Sequence, residues 1–571
     1  GNAYKSAGDL AGAEAAYHTA LKLMPDLLPA RANLGIVQRE LGQRDEAAKT
    51  LTRAVAMDPN DPALWSNLAA VEYERRRYEA SAEAGRRAVA LAPDLAAAQT
   101  NLGNALARLG RTEGSLAAFD AALKAAPGNP HILYDLGKAQ SLLGLLSQSA
   151  ETYRKVLSTD PSHAAAASNL LLTLQYLEDT TPQEIFEDHR RVARALYPDS
   201  ARSPSLNPHD GPIRIGFVSP DLKEHSVAHF LEPLLGALER QRVQITLYSN
   251  TDPTDSVTDR LRGLADGFVD LCGVSTRDAV AKVREQEIDL LIDLAGHSAR
   301  NRLDVFAARA APRQATWLGY PNTTGLPQID YRITDAIADP EGKADALNTE
   351  KLVRLPKGFL CYSGTGTVGV SPLPSVSGGP VTFGSFNNIQ KLCDRTVALW
   401  SRVLMACEGS TLLLKSRNLS DPGLRQRVTD RFTDHGIDAT RIRFADFTAT
   451  QAEHLAVYSQ IDIGLDPLLY NGTTTTCEAL WMGVPVITLC GDRHASRVGA
   501  SLMAAADLWD FVARDEDEFV LVVRAFADPR FRSALARRRA ILRDQLKASP
   551  LCDAEGFARQ MEAAVAKMLR N

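Results

Sequence analysis

Apolar side chains in the first 180 residues return at a fixed interval. Leu34, Leu68, Leu102, Leu136 and Leu170 lie 34 residues apart, and so do Pro25, Pro59, Pro93, Pro127 and Pro161. Small residues keep the same interval: Ala20, Ala54, Ala88 and Ala122, with Val156 in the last unit. Gly8, Gly42, Gly110 and Gly144 form a further series, in which Arg76 stands as the exception. One series can arise by accident; several in phase define an internal repeat. Each unit reads as two helices. The glycine supplies the turn between them, because it accepts the left-handed conformation that ends a helix. The proline stops the second helix, because it lacks the donor needed to continue. The alanines sit where two helices approach closely.

This 34-residue helix pair resembles the tetratricopeptide repeat. In that register Gly1, Asn2, Ala3 and Tyr4 fall in the middle of a first helix, so a truncated opening repeat is expected. Four full repeats follow to about residue 163, with a capping helix around 168–177. Stacked repeats form a superhelix whose concave face takes extended partners. One position on each first helix carries Asn33, Asn67, Asn101, Asp135 and Asn169. An amide offers both donor and acceptor, so such a column suits a peptide backbone without reading its side chains. Asp135 interrupts it. The same amides would also serve simply as links between neighbouring helices.

From residue 213 the pattern changes. Short β-branched runs at 213–219, 243–249, 288–294, 315–318 and 331–334 alternate with helical segments. A second series follows at 381–386, 411–415, 442–444, 461–465 and 484–489. Alternation of this kind predicts parallel strands joined by crossover helices. The expected organisation is a repeat array over 1–178, a connecting helix and linker over 179–212, one lobe over 213–363, a linker over 364–380 and a second lobe over 381–571. The fold class is thus an α-solenoid followed by α/β: two Rossmann-like lobes with a ligand cleft at their strand ends. The second linker spaces Gly364, Gly366 and Gly369 as in a dinucleotide fingerprint. Ser371-Pro372-Leu373-Pro374 follows where a helix is required, so the string reads as flexible chain.

Composition acts mainly by exclusion. A net charge of −5 provides no basic field, which argues against a nucleic-acid partner. No run of about 18 apolar residues is present to span a membrane. Seven scattered cysteines include no Cys-x-x-Cys pair and fit reduced thiols in a cytoplasmic protein.

Three segments carry candidate chemistry. The first, from Asp466 to Pro485, follows a strand, turns at Gly472 and opens a helix with Thr473, Thr474, Thr475 and Thr476. Free backbone donors at a helix start suit a diphosphate, and the threonine hydroxyls add donors without charge. Glu478, one turn in, is placed to accept from ribose hydroxyls. An ordinary cap needs one hydroxyl; four in a row point to a ligand. In the second segment Lys391 follows the first strand of the second lobe, where an ammonium neutralises charge on a departing diphosphate. In the third, His225 follows the first strand of the first lobe, as a general base or a sugar-binding group. His225 and His229 have the i, i+4 spacing of metal ligands, but no third ligand accompanies them, so no metal site is expected. Asp515, Glu516 and Asp517 read as a solvated helix face.

Taken together, several strings resemble the O-GlcNAc transferase and Spindly group, family 41 of the glycosyltransferases. They are the run from Gly216 to Asp221 with His225, Trp317-Leu-Gly-Tyr-Pro321, Asp330-Tyr-Arg-Ile-Thr-Asp335, the Phe386-Asn387-Asn388 run ending at Lys391, and the threonine segment. The resemblance covers about 213 to 567 and implies the glycosyltransferase B fold. It also implies an inverting, metal-independent enzyme without cofactor, moving a sugar from a nucleotide donor to Ser or Thr hydroxyls of proteins. On this resemblance Lys391 matches the lysine on the diphosphate, with Asn387 and Asn388 beside it; Asn388 stands where O-GlcNAc transferases have glutamine. His225 matches a histidine near the sugar. His454 matches the residue packed on the nucleoside, with Gln451 in the same segment, and Ala449 the backbone contact to the base. Gly319 and Pro321 fall in the sugar and acceptor pocket. Asn33, Asn67, Asn101 and Asn169 resemble the asparagine ladder of O-GlcNAc transferases, which implies protein or peptide acceptors in the repeat groove. UDP-GlcNAc is placed first as donor. Thr473 replaces the histidine of animal O-GlcNAc transferases, however, and the threonine string is closer to plant Spindly, which uses GDP-fucose. A repeat scaffold with weak transferase activity is the remaining reading.

Overall fold

Ten helices make up the repeats among the described residues: α1 (Asn2–Ser6), α2 (Leu10–Leu23), α3 (Leu28–Glu40), α4 (Arg44–Met57), α5 (Pro62–Glu74), α6 (Tyr78–Leu91), α7 (Ala96–Arg108), α8 (Thr112–Ala125), α9 (Pro130–Leu142) and α10 (Leu146–Thr159). The computed structural model describes residues 1–198, 203–206, 209–364 and 366–570. Parts of both predicted linkers (199–202, 207–208 and Thr365) and the last residue lie outside the described residues.

The in-phase residues each do a backbone job. Every second helix stops two residues short of its proline. The residue between them (Met24, Asp58, Ala92, Ala126 or Asp160) has φ between −143° and −131°. The proline ring denies the helical region to the residue ahead of it. Gly8, Gly42, Gly110 and Gly144 have φ of 74–81°, and Arg76 takes the same left-handed turn at φ 61°. An L-residue pays about 1–2 kcal/mol for that conformation, partly offset by the extra freedom glycine has when unfolded. Arg76 is exposed. Arg76→Gly is therefore expected to stabilise the repeats by about 0.5–1 kcal/mol, read as a later loss of helical circular dichroism in urea. No change or an earlier loss would contradict the strain argument.

A further periodic series has meaning only in three dimensions. At Gly35, Gly103 and Gly137 an added Cβ would stand 2.6–2.8 Å from Leu51, Phe119 and Tyr153. Fully buried Ser81, Ser115 and Ser149 donate to the carbonyls of Ala69, Gly103 and Gly137 at 2.7, 2.9 and 2.8 Å. Helices come close there because a side chain is missing on one and a hydroxyl satisfies the backbone of the other.

The chain separates into two compact units, 1–160 with 420–425, and 161–419 with 426–571. The break between these units falls ahead of α11 (Ala164–Leu174). The expected capping helix belongs to the second unit: Leu170, Leu171 and Leu174 are fully buried there, and Ser168 Oγ accepts from Asn301 at 3.2 Å. It is followed by α12 (Pro182–Leu196), which opens on a Thr181–Glu184 capping box.

Two parallel sheets form the rest of the second unit. The first contains β1 (Ile213–Ser219), β2 (Val243–Ser249), β3 (Gly267–Asp270), β4 (Leu290–Asp293), β5 (Arg313–Thr316), β6 (Tyr331–Thr334) and β7 (Lys351–Arg354) in the order 3-2-1-4-5-6-7. The second contains β8 (Thr382–Ser385), β9 (Thr411–Leu414), β10 (Ile442–Phe444), β11 (Ile463–Leu465), β12 (Val486–Leu489) and β13 (Val512–Ala513) in the order 10-9-8-11-12-13. Register is long between β1 and β2, from Ile213 opposite Val243 to Ser219 opposite Ser249. Each of the ten predicted runs overlaps a strand. The three strands not anticipated, β3, β7 and β13, all lie at sheet edges, where partial exposure removes the continuous apolar run that marks a central strand. Strand order reverses between β1 and β4 and between β8 and β11. In such sheets the ligand crevice lies outside the carboxyl ends of the strands at these points.

The segment 364–380 corrects the expectation of flexible chain. Gly364 lies against Trp481, whose ring an added Cβ would meet at 2.3 Å. Arg543, Arg539 and Arg532, from one helix (Arg532–Lys547), donate to the carbonyls of Val368, Ser371 and Gly379 at 2.9, 2.9 and 3.0 Å. Its glycines do hold left-handed turns, at φ 76° for Gly364 and 74° for Gly366, but the strand of chain is strapped down by arginines distant in sequence.

Candidate active site

The loops leaving β8 and β11 meet around Lys391. It ends a short 3-10 turn, Ile389–Lys391. Its ammonium donates to the carbonyl of Asn471 at 2.7 Å and to Asn387 Oδ1 at 3.3 Å, and lies 4.2 Å from the centre of the Tyr470 ring. Burial pulls its pKa down to about 8, against the opposing pull of the Asp466 carboxylate. Asp466 lies beneath the loop. It accepts from Gly472 N at 2.6 Å and Thr488 Oγ1 at 2.7 Å, and burial pushes its pKa up to about 6. Asn471 is fixed by bonds to Pro467 O and from Gly499 N. The loop is therefore held from below while the Lys391 side stays polar.

Beyond it the helix Thr474–Trp481 begins. Its N-cap, Thr473, makes no side-chain capping bond. Thr475 Oγ1 donates to Asn387 Oδ1 at 3.0 Å, and Thr474 Oγ1 is a buried hydroxyl with no hydrogen-bond partner among the described residues. An ordinary threonine cap turns its oxygen back onto its own helix; here none does. A Cβ on Gly472 would stand 2.5 Å from the Thr476 hydroxyl and 2.6 Å from that of Thr475, so glycine is needed for the turn to close on them. A cation beside an uncapped helix start suits a ligand with several anionic oxygens.

One turn on, Glu478 is 6% exposed and accepts from His454 Nε2 at 3.1 Å. His454 Nδ1 in turn faces the ammonium of Lys415, which also donates to Thr448 Oγ1 at 3.0 Å. A charged lysine only donates, so Nδ1 is the accepting nitrogen of His454 and Nε2 the one that donates to Glu478. Burial lowers the Lys415 pKa, with Glu478 opposing. His454 packs edge-on against Tyr458, 5.7 Å between centroids. The N–H of Ala449 is already taken by Glu453 Oε2 at 3.1 Å, so a contact to a base falls to its carbonyl. Gln451 opens the helix Gln451–Ala456. Asn388 turns its amide to Gln390 at 3.0 Å and is exposed, and its carbonyl accepts from Lys391 N at 2.9 Å; the Asn387 side chain is the one that reaches the Lys391 ammonium.

In the first lobe, His225 caps the helix Ser226–Ala237. Its Nδ1 accepts from Val227 N at 3.3 Å and lies 3.9 Å from Asp221 Oδ2. Burial lowers its pKa while Asp221 opposes. A neutral ring accepting at Nδ1 carries its proton at Nε2. His229 sits 4.0 Å from Glu224, and no group of three or more His, Cys, Asp or Glu among the described residues is arranged to hold a metal ion. Gly319 and Pro321 follow β5. A Cβ on Gly319 would come within 1.8 Å of the Leu294 carbonyl, and the preceding Leu318 has φ 75°.

Two further stretches gain detail in three dimensions. In the asparagine column, Asn101 Nδ2 donates to Ser66 O and Oγ at 3.0 and 3.1 Å, and Asn33 Nδ2 to Asn2 at 3.3 Å. Asp135 pairs with Lys138 at 2.7 Å and accepts from Asn104. Part of the column's hydrogen bonding therefore links repeats. The acidic run is a helix N-terminus: Asp515 caps the helix Glu516–Ala527, and Glu516 pairs with Arg395 at 2.5 Å and Arg402 at 3.4 Å. Asp515 and Asp517 are exposed, Asp517 at 86%, while Glu516 is half-buried. Sequence reasoning missed Lys415 and passed over Tyr470 and Asn471, although Lys415 directly follows β9 and the other two stand inside the threonine string.

Comparison with known proteins agrees with this architecture. Residues 194–364 and 373–561 match glycosyl transferase family 41, and residues 5–71 and 100–164 match tetratricopeptide repeat families. A probable UDP-N-acetylglucosamine–peptide N-acetylglucosaminyltransferase SPINDLY of Oryza sativa subsp. japonica is 38% identical over 429 residues, 74% of this chain and 46% of that protein. The protein of the same name from Arabidopsis thaliana is 40% identical over 419 residues, 72% of this chain and 45% of its own length. The chain thus spans just under half the length of these relatives. A solved mutant of the Thermobaculum terrenum O-GlcNAc transferase superposes with a TM-score of 0.80 at 31% identity, covering 89% of this chain and 97% of that one. With its repeats followed by two parallel α/β sheets of the glycosyltransferase B type, the chain belongs to glycosyl transferase family 41.

Proposed function

We propose that the protein is an inverting protein O-glycosyltransferase that moves GlcNAc from UDP-GlcNAc to Ser or Thr hydroxyls, without metal or other cofactor. The observation that carries this reading is the half-buried, hydrogen-bonded Lys391 ammonium beside the uncapped helix at Thr473–Thr475. In transfer, the acceptor oxygen bonds to the anomeric carbon from the face opposite the departing diphosphate, the carbon–phosphate-oxygen bond breaks, and the hydroxyl proton passes to water or to a phosphate oxygen of the donor. Negative charge grows on the bridging oxygen as the bond breaks, so a fixed cation there lowers the barrier. Lys391 takes that role, with the Thr474 and Thr475 hydroxyls on the phosphates, Glu478 on the ribose, and His454 and Ala449 at the nucleoside. His225, protonated at Nε2, acts as a donor to the sugar or phosphate rather than as the base. Gly319 and Pro321 shape the sugar pocket. Protein acceptors bind along the repeats bearing Asn33, Asn67 and Asn101; Asn169 continues the sequence series on α11. No described helix is long and apolar enough to cross a membrane, and seven free cysteines support a reducing, cytoplasmic setting.

The names of the plant relatives support UDP-GlcNAc. Thr473 and the threonine run favour a second reading, a Spindly-like O-fucosyltransferase using GDP-fucose. Calorimetric titration with UDP and GDP in metal-free buffer separates them. Tighter binding of UDP, weakened about tenfold in Glu478→Ala by loss of a charged hydrogen bond, is the expected result. Preference for GDP would move the protein to the fucosyl reading, and binding of neither would sink the donor site. Nucleotide binding without turnover on any acceptor would leave a scaffold.

A further inference from the structure

We infer that Tyr470 is a positioning residue for Lys391, and that Tyr176 holds Tyr470 in place from the segment after α11. The inference rests on the role proposed for Lys391. A lysine ammonium has three donors, and two of them are accounted for by Asn471 O and Asn387 Oδ1. On another side lies the ring of Tyr470, 4.2 Å away. At that distance the negative face of an aromatic ring attracts a cation, and more strongly where water is excluded. The ring thus adds a third attraction to a charge that must stay positive while burial works against it, and the ammonium's remaining open side is left to the donor. Asp466 is the charged group acting on Lys391, and it approaches from beneath the same loop.

The ring itself needs a support. The backbone on either side of Tyr470 is pinned, at Asp466 and at Asn471, but the side chain is only half-buried. Tyr176 supplies the packing: the two rings stack with centroids 5.2 Å apart and planes 19° from parallel. The residue beside it, Gln175, is tied to the other lobe. Its Oε1 accepts from Asn322 at 3.1 Å and its Nε2 reaches the Tyr320 hydroxyl at 3.5 Å. One dipeptide therefore grips the loop after β5 in the first lobe and the diphosphate loop after β11 in the second. A shift of this segment displaces the ring on which Lys391 rests. A tyrosine that merely filled space would be replaced by leucine with no electrostatic consequence.

The test reads the lysine directly. In protein carrying 13C at lysine Cε, the Lys391 signal is identified by its loss in Lys391→Ala and titrated, with a wild-type midpoint near 8. Tyr470→Leu keeps the apolar bulk and removes the ring. It is expected to lower the midpoint by about 0.5 pH unit, while Tyr470→Phe leaves it in place. Tyr176→Leu should move it in the same direction by less, and lower kcat with little change in the donor KM. A midpoint unmoved or raised in Tyr470→Leu overturns the inference. Should that variant fail to fold, Tyr176→Leu carries the same test, with the same outcome overturning it. Full transfer by Lys391→Ala is a separate result: it would remove the catalytic role of the lysine and leave the titration shift standing.

Discussion

Lys391→Ala is expected to lower kcat for sugar transfer by about 10²–10³-fold, the cost of deleting one preorganised charge at a leaving oxygen. The expectation follows from three features. The ammonium is desolvated, so its field is little screened. It is held by Asn471 O and Asn387 Oδ1, so no reorganisation is spent when charge develops. It stands beside a helix start whose N-cap gives no side-chain bond. Because the interaction strengthens as the bond breaks, the loss should appear mainly in kcat and less in the donor KM. The sign of the pH dependence follows from the same residue. Its pKa is drawn down to about 8, and the charged form is the active one. Transfer should therefore hold below that value and fall as pH rises through it, approaching tenfold per unit well above. A rate flat from pH 7 to 10 in the wild type, or a variant within threefold of it, would remove Lys391 from the mechanism.

The second large effect concerns stability. Arg539 is 1% exposed, yet it is not part of the site. Its guanidinium donates to Ser371 O at 2.9 Å, Ser371 Oγ at 2.9 Å, Ile461 O at 2.8 Å and Tyr458 O at 3.0 Å. Burial pulls its pKa down to about 10, opposed by Asp462, so it remains charged at neutral pH. These bonds join the helix Arg532–Lys547 to the interlobe strap and to the chain entering β11. Arg539→Leu removes the guanidinium from three backbone carbonyls, those of Ser371, Ile461 and Tyr458, at about 1 kcal/mol each, or about 3 kcal/mol in all. For a lobe of this size that corresponds to a melting point lower by about 6–12 °C. Arg539→Lys, with three donors in place of the fork, should fall between. Calorimetric melting decides it, and a drop under 2 °C would show that water replaces the arginine without cost.

How much of this could be read beforehand varies from element to element. Ten of the thirteen described strands and all five proline-ended helices were legible, because most of them follow from rules that act between near neighbours. A residue ahead of proline is forced extended whatever surrounds it, and a buried central strand must be apolar along its length. The diphosphate loop was legible for a similar reason, since its glycine and threonines are consecutive. Three of the four edge strands, β3, β7 and β13, were not, because an edge relaxes the pattern that betrays a strand; β10 is the exception. Nor was the strap at 364–380: a Gly, Ser and Pro-rich string looks loose until arginines from 532 to 543 are placed across it. The Arg76 turn was visible as an exception in the sequence and proved to be no exception in geometry.

The chemistry divides along the same line. Residue order alone specified the 34-residue repeat, the alternation of strand and helix, and the presence of a lysine, a histidine and a threonine-rich helix start at strand ends, since each depends on chain-local geometry. Only the folded chain decided which groups lose their water and to whom they then bond. Lys391 meets Asn471 across 80 residues, Lys415 joins His454 and Glu478, and Tyr176 reaches Tyr470 from far along the chain. Desolvation is a property of all the atoms around a charge, whatever their separation in sequence, and so it exists only once the two sheets have brought their loops together.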